Sequence, residues 1–202
     1  CILWGPPGTG KTTLSRIMAA STQFYREEVS AVTAGVVDLR RIISEAQERQ
    51  GMFQQSTVLF VDEIHRFNKA QQDVILPHVE NGTFTLIGAT TENPSFEVIA
   101  PLLSRCRVFK LESLGYDDLE AVINKALTDS DRGLGLLQVS LESEALEILI
   151  NMSNGDARIA LNVLEMATVA LPSDHAFVLT SDTIVDAMQC STPFYDKSGD
   201  AH

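Results

Sequence analysis

The pattern of apolar and polar positions divides the chain into two regions. In residues 1–115, short apolar runs typical of buried strands alternate with stretches whose apolar residues recur at helical spacing. The predicted strands are residues 1–4, 29–32, 57–61, 83–88 and 108–111, and the predicted helices are residues 11–20, 36–50, 67–79 and 98–104. The third helix is predicted to be interrupted near Pro77. Strands that alternate with helices predict a parallel sheet covered by helices on both faces.

From residue 116 onward, the same pattern predicts helices alone. These helices span residues 117–127, 141–152, 157–170 and 181–189, and residues 131–138 and 172–175 are predicted loops. The sequence therefore predicts an α/β domain over residues 1–114 and a small all-α domain over residues 115–190, and residues 191–202 are expected to begin a linker.

Two sets of apolar residues carry expectations about packing. Leu14, Ile17 and Met18 share one face of the first predicted helix. Phe67 and Phe96 are expected to be core or loop-anchoring aromatics rather than platforms on which a nucleic-acid base stacks.

Charge is distributed unevenly between the two regions. Residues 1–115 contain 11 lysines and arginines and 12 carboxylates, whereas residues 116–202 contain 4 and 15, so the net charges are −1 and −11. Because affinity for nucleic acid depends on clustered Lys and Arg, the second region is not expected to lie along a phosphate backbone. No apolar run approaches the roughly 18 residues that cross a bilayer, so no membrane partner is expected.

The cysteines and histidines show neither a disulfide framework nor a metal-ligand pattern. Cys1, Cys106 and Cys190 contain no C-x-x-C pair and are odd in number, which favours a reducing compartment. The four histidines also lack metal-ligand spacing. The chain opens in a predicted buried strand without an initiator Met, and we therefore interpret it as part of a longer protein.

A phosphate-binding pattern lies near the start of the chain. Residues 5–12 read Gly-Pro-Pro-Gly-Thr-Gly-Lys-Thr, which fits G-x-x-x-x-G-K-[ST] between a predicted strand and a predicted helix. The glycines let backbone N–H groups converge on phosphate oxygens, and the following helix directs its N-terminal dipole at the same point. Lys11 would add a positive charge at the β- and γ-phosphates, and the Thr12 hydroxyl would ligate Mg²⁺. The expected nucleotide-binding residues are Gly5, Pro6, Pro7, Gly8, Thr9, Gly10, Lys11, Thr12 and Thr13.

Two carboxylates follow the predicted strand at residues 57–61. Asp62 and Glu63 are expected at its C-terminal edge, where open parallel sheets bind their ligands. Asp62 would hold Mg²⁺, directly or through water, and Glu63 would orient and polarise an attacking water. The alternatives are a chance Gly-rich turn at residues 5–12 and a strand that merely ends in two surface carboxylates. The joint occurrence of both features disfavours these alternatives, so ATP and Mg²⁺ are the expected ligands.

Together these features resemble the AAA+ ATPases, a ring-forming branch of the P-loop enzymes, and within it the clamp-loader-like members. Residues 84–93 resemble the sensor-1 strand of that group, which implies a polar residue near the γ-phosphate; Thr91 fits that position best, with Asn93 as the rival. Ser104-Arg105-Cys106 resembles the clamp-loader motif whose arginine reaches the ATP of a neighbouring subunit. Gly155-Asp156-Ala157-Arg158 resembles the sensor-2 start of a lid helix, which implies that Arg158 faces the nucleotide.

Longer strings narrow the resemblance to one family. Residues 62–69 (DEIHRFNK), 71–73 (QQD), 76–80 (LPHVE) and 88–96 (GATTENPSF) are similar to the replication-associated recombination ATPases, which include the Werner helicase-interacting protein of eukaryotes. The similarity is dense to about residue 111 and looser as far as residues 195–197. It implies a P-loop α/β core with a small all-α lid. The implied catalytic residues are Lys11, Glu63, Thr91, Arg105 and Arg158, and the implied Mg²⁺ ligands are Thr12 and Asp62.

The family resemblance also implies a biological role. It predicts a homo-oligomeric ATPase that is stimulated by DNA ends, single-strand gaps or forks and acts at stalled replication forks, with other replication proteins as further partners. The oligomerisation region and the segment that contacts adenine are expected outside this chain. A clamp-loader subunit and a Holliday-junction-type motor remain alternatives, and the strings after Asp62 favour the fork-acting ATPase. Cys106 is more like the eukaryotic members, so the nucleus is expected over the bacterial cytoplasm and nucleoid.

The residues assigned by resemblance have ordinary structural alternatives. Arg105 can be a surface arginine that pairs with Glu97 or Glu112, and Arg158 can cap or salt-bridge a lid helix. His65 and His78 are expected to be structural histidines rather than catalysts.

Overall fold

A computed structural model describes residues 1–169 and 177–191 of the chain. The strands are β1 (Ile2–Trp4), β2 (Tyr25–Ser30), β3 (Thr57–Asp62), β4 (Phe84–Thr90), β5 (Val108–Lys110), β6 (Val139–Leu141) and β7 (Phe177–Leu179). The α-helices are α1 (Lys11–Ala20), α2 (Val36–Phe53), α3 (Lys69–Glu80), α4 (Pro94–Glu97), α5 (Ala100–Arg105), α6 (Tyr116–Thr128), α7 (Ser143–Ser153), α8 (Ala157–Val169) and α9 (Ser181–Ser191). Short 3₁₀ turns cover Ile64–Arg66 and Gly135–Leu137.

The first five strands form one parallel sheet in the order β2-β3-β4-β1-β5. Leu3 of β1 lies opposite Ala89 of β4 and Phe109 of β5. On the other side of β4, Leu59 of β3 lies opposite Leu86. Because every pairing is parallel, the C-terminal ends of all five strands lie along one edge of the sheet. The prediction of a parallel α/β fold is therefore confirmed.

The chain divides into two compact units between Glu112 and Ser113. The first unit buries apolar residues on both faces of its sheet: Leu39, Leu59 and Ile75 belong to one cluster, and Leu3 and Phe60 belong to another. The second unit has its own core. Its buried residues come from α6, α7, α8, α9 and the two short strands, and include Leu119, Ile123, Leu149, Val163, Leu179 and Ile184.

Two element boundaries in the first unit differ from the sequence prediction. The strand predicted at residues 29–32 is β2, which begins at Tyr25 and ends at Ser30. This strand lies at the edge of the sheet, and Val29 is its one buried residue. It can therefore carry charged residues, and a search for apolar runs misses most of it. The helix predicted over residues 67–79 is α3, and it runs without interruption through Pro77 to Glu80. Pro77 has no N–H to donate to the Asp73 carbonyl oxygen, so α3 lacks that one hydrogen bond and still continues for three residues.

Of the three apolar residues that share one face of α1, only Met18 packs against the core. Leu14 is 40% exposed and Ile17 is 61% exposed, whereas Ser15 and Ala19 are buried. Small side chains on the inner face let the helix approach the sheet closely. Phe67 is buried as expected, but Phe96 is 82% exposed, so its predicted role as a core or anchoring aromatic is wrong.

The second unit is not built from helices alone. Its strands β6 and β7 form a two-stranded parallel sheet, with Ser140 opposite Val178. Each strand has only three residues, too few for an alternating pattern to stand out in the sequence. Residues 170 and 172–175, and residues 192–202 of the predicted linker, lie outside the described residues. No helix within residues 1–169 and 177–191 is both long and apolar enough to cross a membrane.

Candidate functional site

Three of the strands end beside one another in the first unit. Gly5 follows β1, Asp62 ends β3, and Thr90 ends the intervening strand β4. The Gly5 N–H donates a hydrogen bond to the Thr90 carbonyl oxygen at 3.2 Å, which fastens the start of the glycine-rich loop to the end of β4. Since neighbouring strands lie about 4.8 Å apart, Gly5 and Asp62 stand on strands separated by about 10 Å. The two sequence motifs therefore meet at one edge of the sheet.

The loop at residues 5–10 needs its glycines for two different reasons. Gly8 and Gly10 have φ values of 69° and 83°, in the left-handed region that residues with a Cβ rarely adopt. Gly5 is required for space: a Cβ at this position would lie 2.2 Å from the Leu111 carbonyl oxygen. These glycines shape a tight turn that leads directly into α1.

The Lys11 ammonium group lies inside this turn. Its Nζ donates to the carbonyl oxygens of Gly5 at 2.7 Å and Pro6 at 2.6 Å, and the residue is only 8% exposed. The Thr9 hydroxyl donates to the same Pro6 oxygen at 2.9 Å. A buried ammonium group at the N-terminus of a ten-residue helix concentrates positive potential at one point. The loop is therefore chemically suited to an anionic phosphate.

The candidate Mg²⁺ ligands provide the oxygen donors that this cation prefers. Thr12 is half-buried in the first turn of α1, and Asp62 is half-buried at the end of β3, where its Oδ1 accepts the Glu63 N–H at 3.2 Å. Thr13, next along α1, is exposed. No group of three or more His, Cys, Asp and Glu side chains within the described residues could hold a metal ion alone. One hydroxyl and one carboxylate suit Mg²⁺, which commonly completes its shell with water and substrate phosphates.

Glu63 follows β3 in a strained backbone conformation. Its φ and ψ are 53° and 46°, in the left-handed region. For a residue other than glycine this costs about 1–3 kcal/mol, and such residues cluster at functional sites. The turn directs the chain into the 3₁₀ segment Ile64–Arg66, which brings His65 next to Glu63 and Thr90. From the sequence, His65 is expected only to be a structural histidine, because an isolated histidine does not show which residues it will contact.

The two candidates for the polar sensor position differ in environment. Thr91 is exposed immediately after β4. The Asn93 side chain is engaged locally, because its Oδ1 accepts the Ser95 N–H at 3.0 Å at the start of α4. The hydroxyl buried at the strand end is that of Thr90, which is 0% exposed. The assignment of Thr91 over Asn93 stays a prediction.

Arg105 is the last residue of α5, and its side chain is 49% exposed. Its guanidinium group lies 2.9 Å from a Glu80 carboxylate oxygen and donates to the Ser104 hydroxyl at 2.7 Å. Its ion-pair partner is therefore Glu80 at the end of α3, not the Glu97 or Glu112 considered from the sequence.

Gln72 attaches the segment that carries Arg105 to α3. This side chain is 2% exposed; its Nε2 donates to the Phe67 and Glu97 carbonyl oxygens, both at 2.9 Å. Its Oε1 accepts the Ile99 N–H at 2.8 Å. No sequence pattern predicts this role, because the Glu97 and Ile99 partners lie 25 and 27 residues further along the chain.

Arg158 lies in the second unit, in the first turn of α8. Asp156 precedes this helix, is buried, and accepts the Arg158 N–H at 2.8 Å through its Oδ1. Asp156 therefore acts as the N-terminal cap of the helix. The Arg158 side chain is exposed, and its proposed orientation toward a nucleotide stays a prediction.

Two family models match this chain, each over a different range of residues. The model of the ATPase family associated with various cellular activities (AAA) matches residues 1–113. A model of the AAA C-terminal domain matches residues 135–202.

Curated relatives align with nearly the whole of this chain. Replication-associated recombination protein A of Escherichia coli is 47% identical over 201 residues, which cover 98% of this chain and 45% of that protein. ATPase WRNIP1 of Dictyostelium discoideum is 42% identical, over 99% of this chain and 24% of that protein. The chain thus spans less than half the length of these relatives.

Solved structures match the same architecture. The RuvB Holliday junction branch migration motor of Thermotoga maritima superposes with a TM-score of 0.72 at 30% identity, covering 94% of this chain and 60% of that one. The expected family and fold are both confirmed by these comparisons.

Proposed function

The chain belongs to the AAA family of ATPases, and we propose that its first unit hydrolyses Mg-ATP to ADP and phosphate by attack of a water molecule. The observation that carries this proposal is the meeting of the Lys11 loop with the carboxylates of Asp62 and Glu63 at one sheet edge. Phosphoryl transfer asks little covalent chemistry of a protein, so positioning and charge neutralisation account for most of the catalysis.

Each residue of the site has a distinct part in this reaction. The backbone N–H groups of Gly8, Thr9 and Gly10 and the Lys11 ammonium group hold the phosphates. Bound Mg²⁺ would neutralise negative charge on the phosphates, with Thr12 and Asp62 as its protein ligands. Glu63 accepts a hydrogen bond from the attacking water and orients it toward the γ-phosphorus. Thr91 is the proposed contact to the γ-phosphate at the end of β4.

Two arginines are proposed to complete the site from elsewhere. Arg105 reaches the ATP of a neighbouring copy in a homo-oligomer, because a head-to-tail interface joins two different faces of the same protein. Its accessibility on α5 is compatible with that role. Arg158 is proposed to face the nucleotide of its own subunit from the second unit.

The proposed biological role is replication-associated recombination and repair, with DNA as the stimulating ligand. The relatives named for replication-associated recombination support this role, since 98% of the chain aligns with one of them. The second region carries a net charge of −11, so DNA affinity is expected from the near-neutral first region or from residues outside this chain. The proposed location is the nucleus in a eukaryote and the cytoplasm or nucleoid in a bacterium.

A Holliday-junction motor is the second candidate function. It is favoured by the structural match to RuvB, which is named as a Holliday junction branch migration motor. The higher identity to the recombination protein, 47%, favours the first candidate.

The deciding experiment is ATP turnover by the full-length protein with no DNA and with single-stranded, gapped, forked and four-way-junction DNA. We expect turnover that rises with gapped or forked DNA and falls by about 10²- to 10⁴-fold in Glu63→Gln. Preferential stimulation by four-way junctions, with movement of the branch point, would favour the motor. A response only in the presence of a sliding clamp would favour a clamp-loader subunit. A folded wild-type protein without turnover under any condition would refute the proposed activity.

A further inference from the structure

The ring of His65 lies between the ends of β3 and β4 and contacts residues from both. Its Nδ1 is 3.0 Å from the Thr90 hydroxyl oxygen and 3.2 Å from Glu63 Oε2. Its Nε2 is 3.6 Å from a Glu92 carboxylate oxygen. The His65 side chain is 7% exposed, so these contacts form in a largely water-excluded position.

The hydrogen-bond donors and acceptors of this cluster determine which ring nitrogen carries the proton. An ionised Glu63 carboxylate can only accept, so an unprotonated Nδ1 at 3.2 Å would set two acceptors against each other. The Thr90 hydroxyl oxygen accepts the Glu92 N–H at 2.9 Å, and its own proton has the Glu92 carbonyl oxygen 3.2 Å away. With the proton on Nδ1, the two contacts of that nitrogen each pair a donor with an acceptor, and the two acceptors Nε2 and Glu92 Oε1 stay 3.6 Å apart. His65 then donates to Thr90 and toward Glu63.

Glu63 depends on this contact more than an ordinary surface carboxylate would. Its Oε2 is buried and has no hydrogen-bond partner within residues 1–169 and 177–191. The His65 Nδ1 atom, 3.2 Å away, is a close polar neighbour of this oxygen. The side chain as a whole is 36% exposed, which leaves the carboxylate open to water. The Oε2 atom of Glu63 thus lies next to His65 in the protein interior, while part of the Glu63 side chain stays accessible to water.

We propose that His65 is a positioning residue for the Glu63 carboxylate and couples its orientation to the end of β4. The inference rests on the proposed hydrolysis, in which Glu63 orients the attacking water. The Nδ1–H group of His65 attracts Oε2 electrostatically at 3.2 Å, and the hydrogen bond between Nδ1 and the Thr90 hydroxyl makes the position of the ring depend on the strand end that precedes Thr91. A shift of β4 at this point would change the direction in which Glu63 meets the water.

The test uses substitutions that separate the two ring nitrogens in the full-length protein. The side-chain amide of asparagine can present a donor where Nδ1 lies, whereas that of glutamine reaches further, to the place of Nε2. We expect His65→Ala and His65→Gln to lower kcat by about 10- to 100-fold with an unchanged Kd for ATP, because misdirection of a reacting group by about 1 Å can cost that much. His65→Asn should recover most of the loss. Glu92→Gln is the matched control and should retain the wild-type rate, since its Nε2 contact is long.

Thermal unfolding shows whether each variant is folded, and only folded variants are compared. If His65→Asn and His65→Gln are equally impaired, or if His65→Ala has wild-type kcat, then His65 does not position Glu63 through Nδ1. An increase in the Kd for ATP in step with the loss of rate would also overturn the proposal, because it would indicate a binding role.

A readout that needs no turnover separates this inference from the proposed function. In the ¹⁵N-histidine NMR spectrum, the ring signals lost in His65→Asn identify His65 and report which nitrogen is protonated. We expect the Nδ1–H form in the wild type and a changed Nδ1 signal in Glu63→Gln, even if the protein proves inactive. An Nε2–H form, or a signal insensitive to Glu63→Gln, would overturn the proposal whether or not ATP is hydrolysed.

Discussion

The phosphate loop and the acidic strand end lie at the same sheet edge but are constructed differently. The loop occupies consecutive residues, and Lys11 contacts carbonyl oxygens only five and six positions away. The acidic strand end combines Glu63 and His65 after β3 with Thr90 of β4, and the His65–Thr90 contact spans 25 residues of chain. The proposed phosphate-binding loop is therefore held together by contacts between near neighbours in sequence, whereas the surroundings of the Glu63 carboxylate depend on contacts between the ends of two strands. Substitutions in the two regions should have separable effects on binding and on chemistry.

The largest expected effect is that of Lys11→Ala in the loop. Loss of the buried ammonium group removes the charge that offsets the phosphates, so ATP affinity should fall below detection and turnover should disappear. Isothermal titration calorimetry with ATP measures this directly. Arg16→Ala, which removes an exposed charge from the same helix, is the matched control and should bind normally. Unchanged ATP affinity in a folded Lys11→Ala protein would show that the loop does not hold the phosphates.

Arg105→Ala tests whether ATP hydrolysis also depends on a residue outside the phosphate loop and the acidic strand end. An arginine that reaches the transferring phosphoryl group contributes about 10³- to 10⁵-fold in rate, so turnover in the full-length oligomer should fall by that order while the Kd for ATP is retained. Mixing Arg105→Ala with Lys11→Ala subunits should restore part of the activity, because a mixed interface joins one intact loop to one intact arginine. A mixture that co-assembles but stays inactive would exclude action on a neighbouring subunit.

Glu63→Gln examines the acidic strand end alone. The amide keeps the size of the side chain but cannot serve as a base, so kcat should fall by about 10²- to 10⁴-fold with ATP binding intact. Asp62→Asn should instead raise the Mg²⁺ concentration needed for half-maximal turnover. Glu48→Gln, an exposed position on α2, is the control for the amide substitution itself. Near-normal turnover in Glu63→Gln would mean that another group activates the water.

Glu80→Gln is expected to have the smallest effect. The Arg105–Glu80 pair is 49% and 41% exposed, and exposed ion pairs contribute only about 0–1 kcal/mol to the free energy of unfolding. A double-mutant cycle with Arg105→Gln in urea denaturation measures the coupling. A coupling well above 1 kcal/mol would indicate that Arg105 is mainly a structural residue held within its own chain.

The contrast between the phosphate loop and the acidic strand end also explains which parts of the candidate site could be predicted from the sequence. Spacing alone identified the loop at residues 5–12 and the carboxylates after β3, because both lie in short segments with a characteristic order of residue types. The contacts of His65 and Gln72 were not predicted, since each depends on partners about 25 residues away that only folding brings close. Arg105 was singled out by its motif, but its partner Glu80 was not, for the same reason.

Errors in the fold prediction had related physical causes. A prediction from apolar spacing assumes that the apolar residues of a helix face the core. Helix α1 instead buries Ser15 and Ala19 and exposes Ile17. Strand β2 was shortened because its exposed edge carries charged residues, and the strands of the second unit were missed because each has only three residues. Helices with regular amphipathic spacing were located to within a few residues, as in α2 and α6.

The charged residues of β2 have a consequence for the behaviour of the protein at high concentration. This strand lies at the end of the sheet order, so one row of its backbone N–H and C=O groups has no neighbouring strand among the described residues. Such a row invites an extended segment of another molecule to pair with it and so to start aggregation. Arg26, Glu27 and Glu28 follow one another along this strand, and an incoming segment would have to accommodate their charges. The residues that hide β2 from a search for apolar runs are thus of the kind that disfavours pairing at a sheet edge.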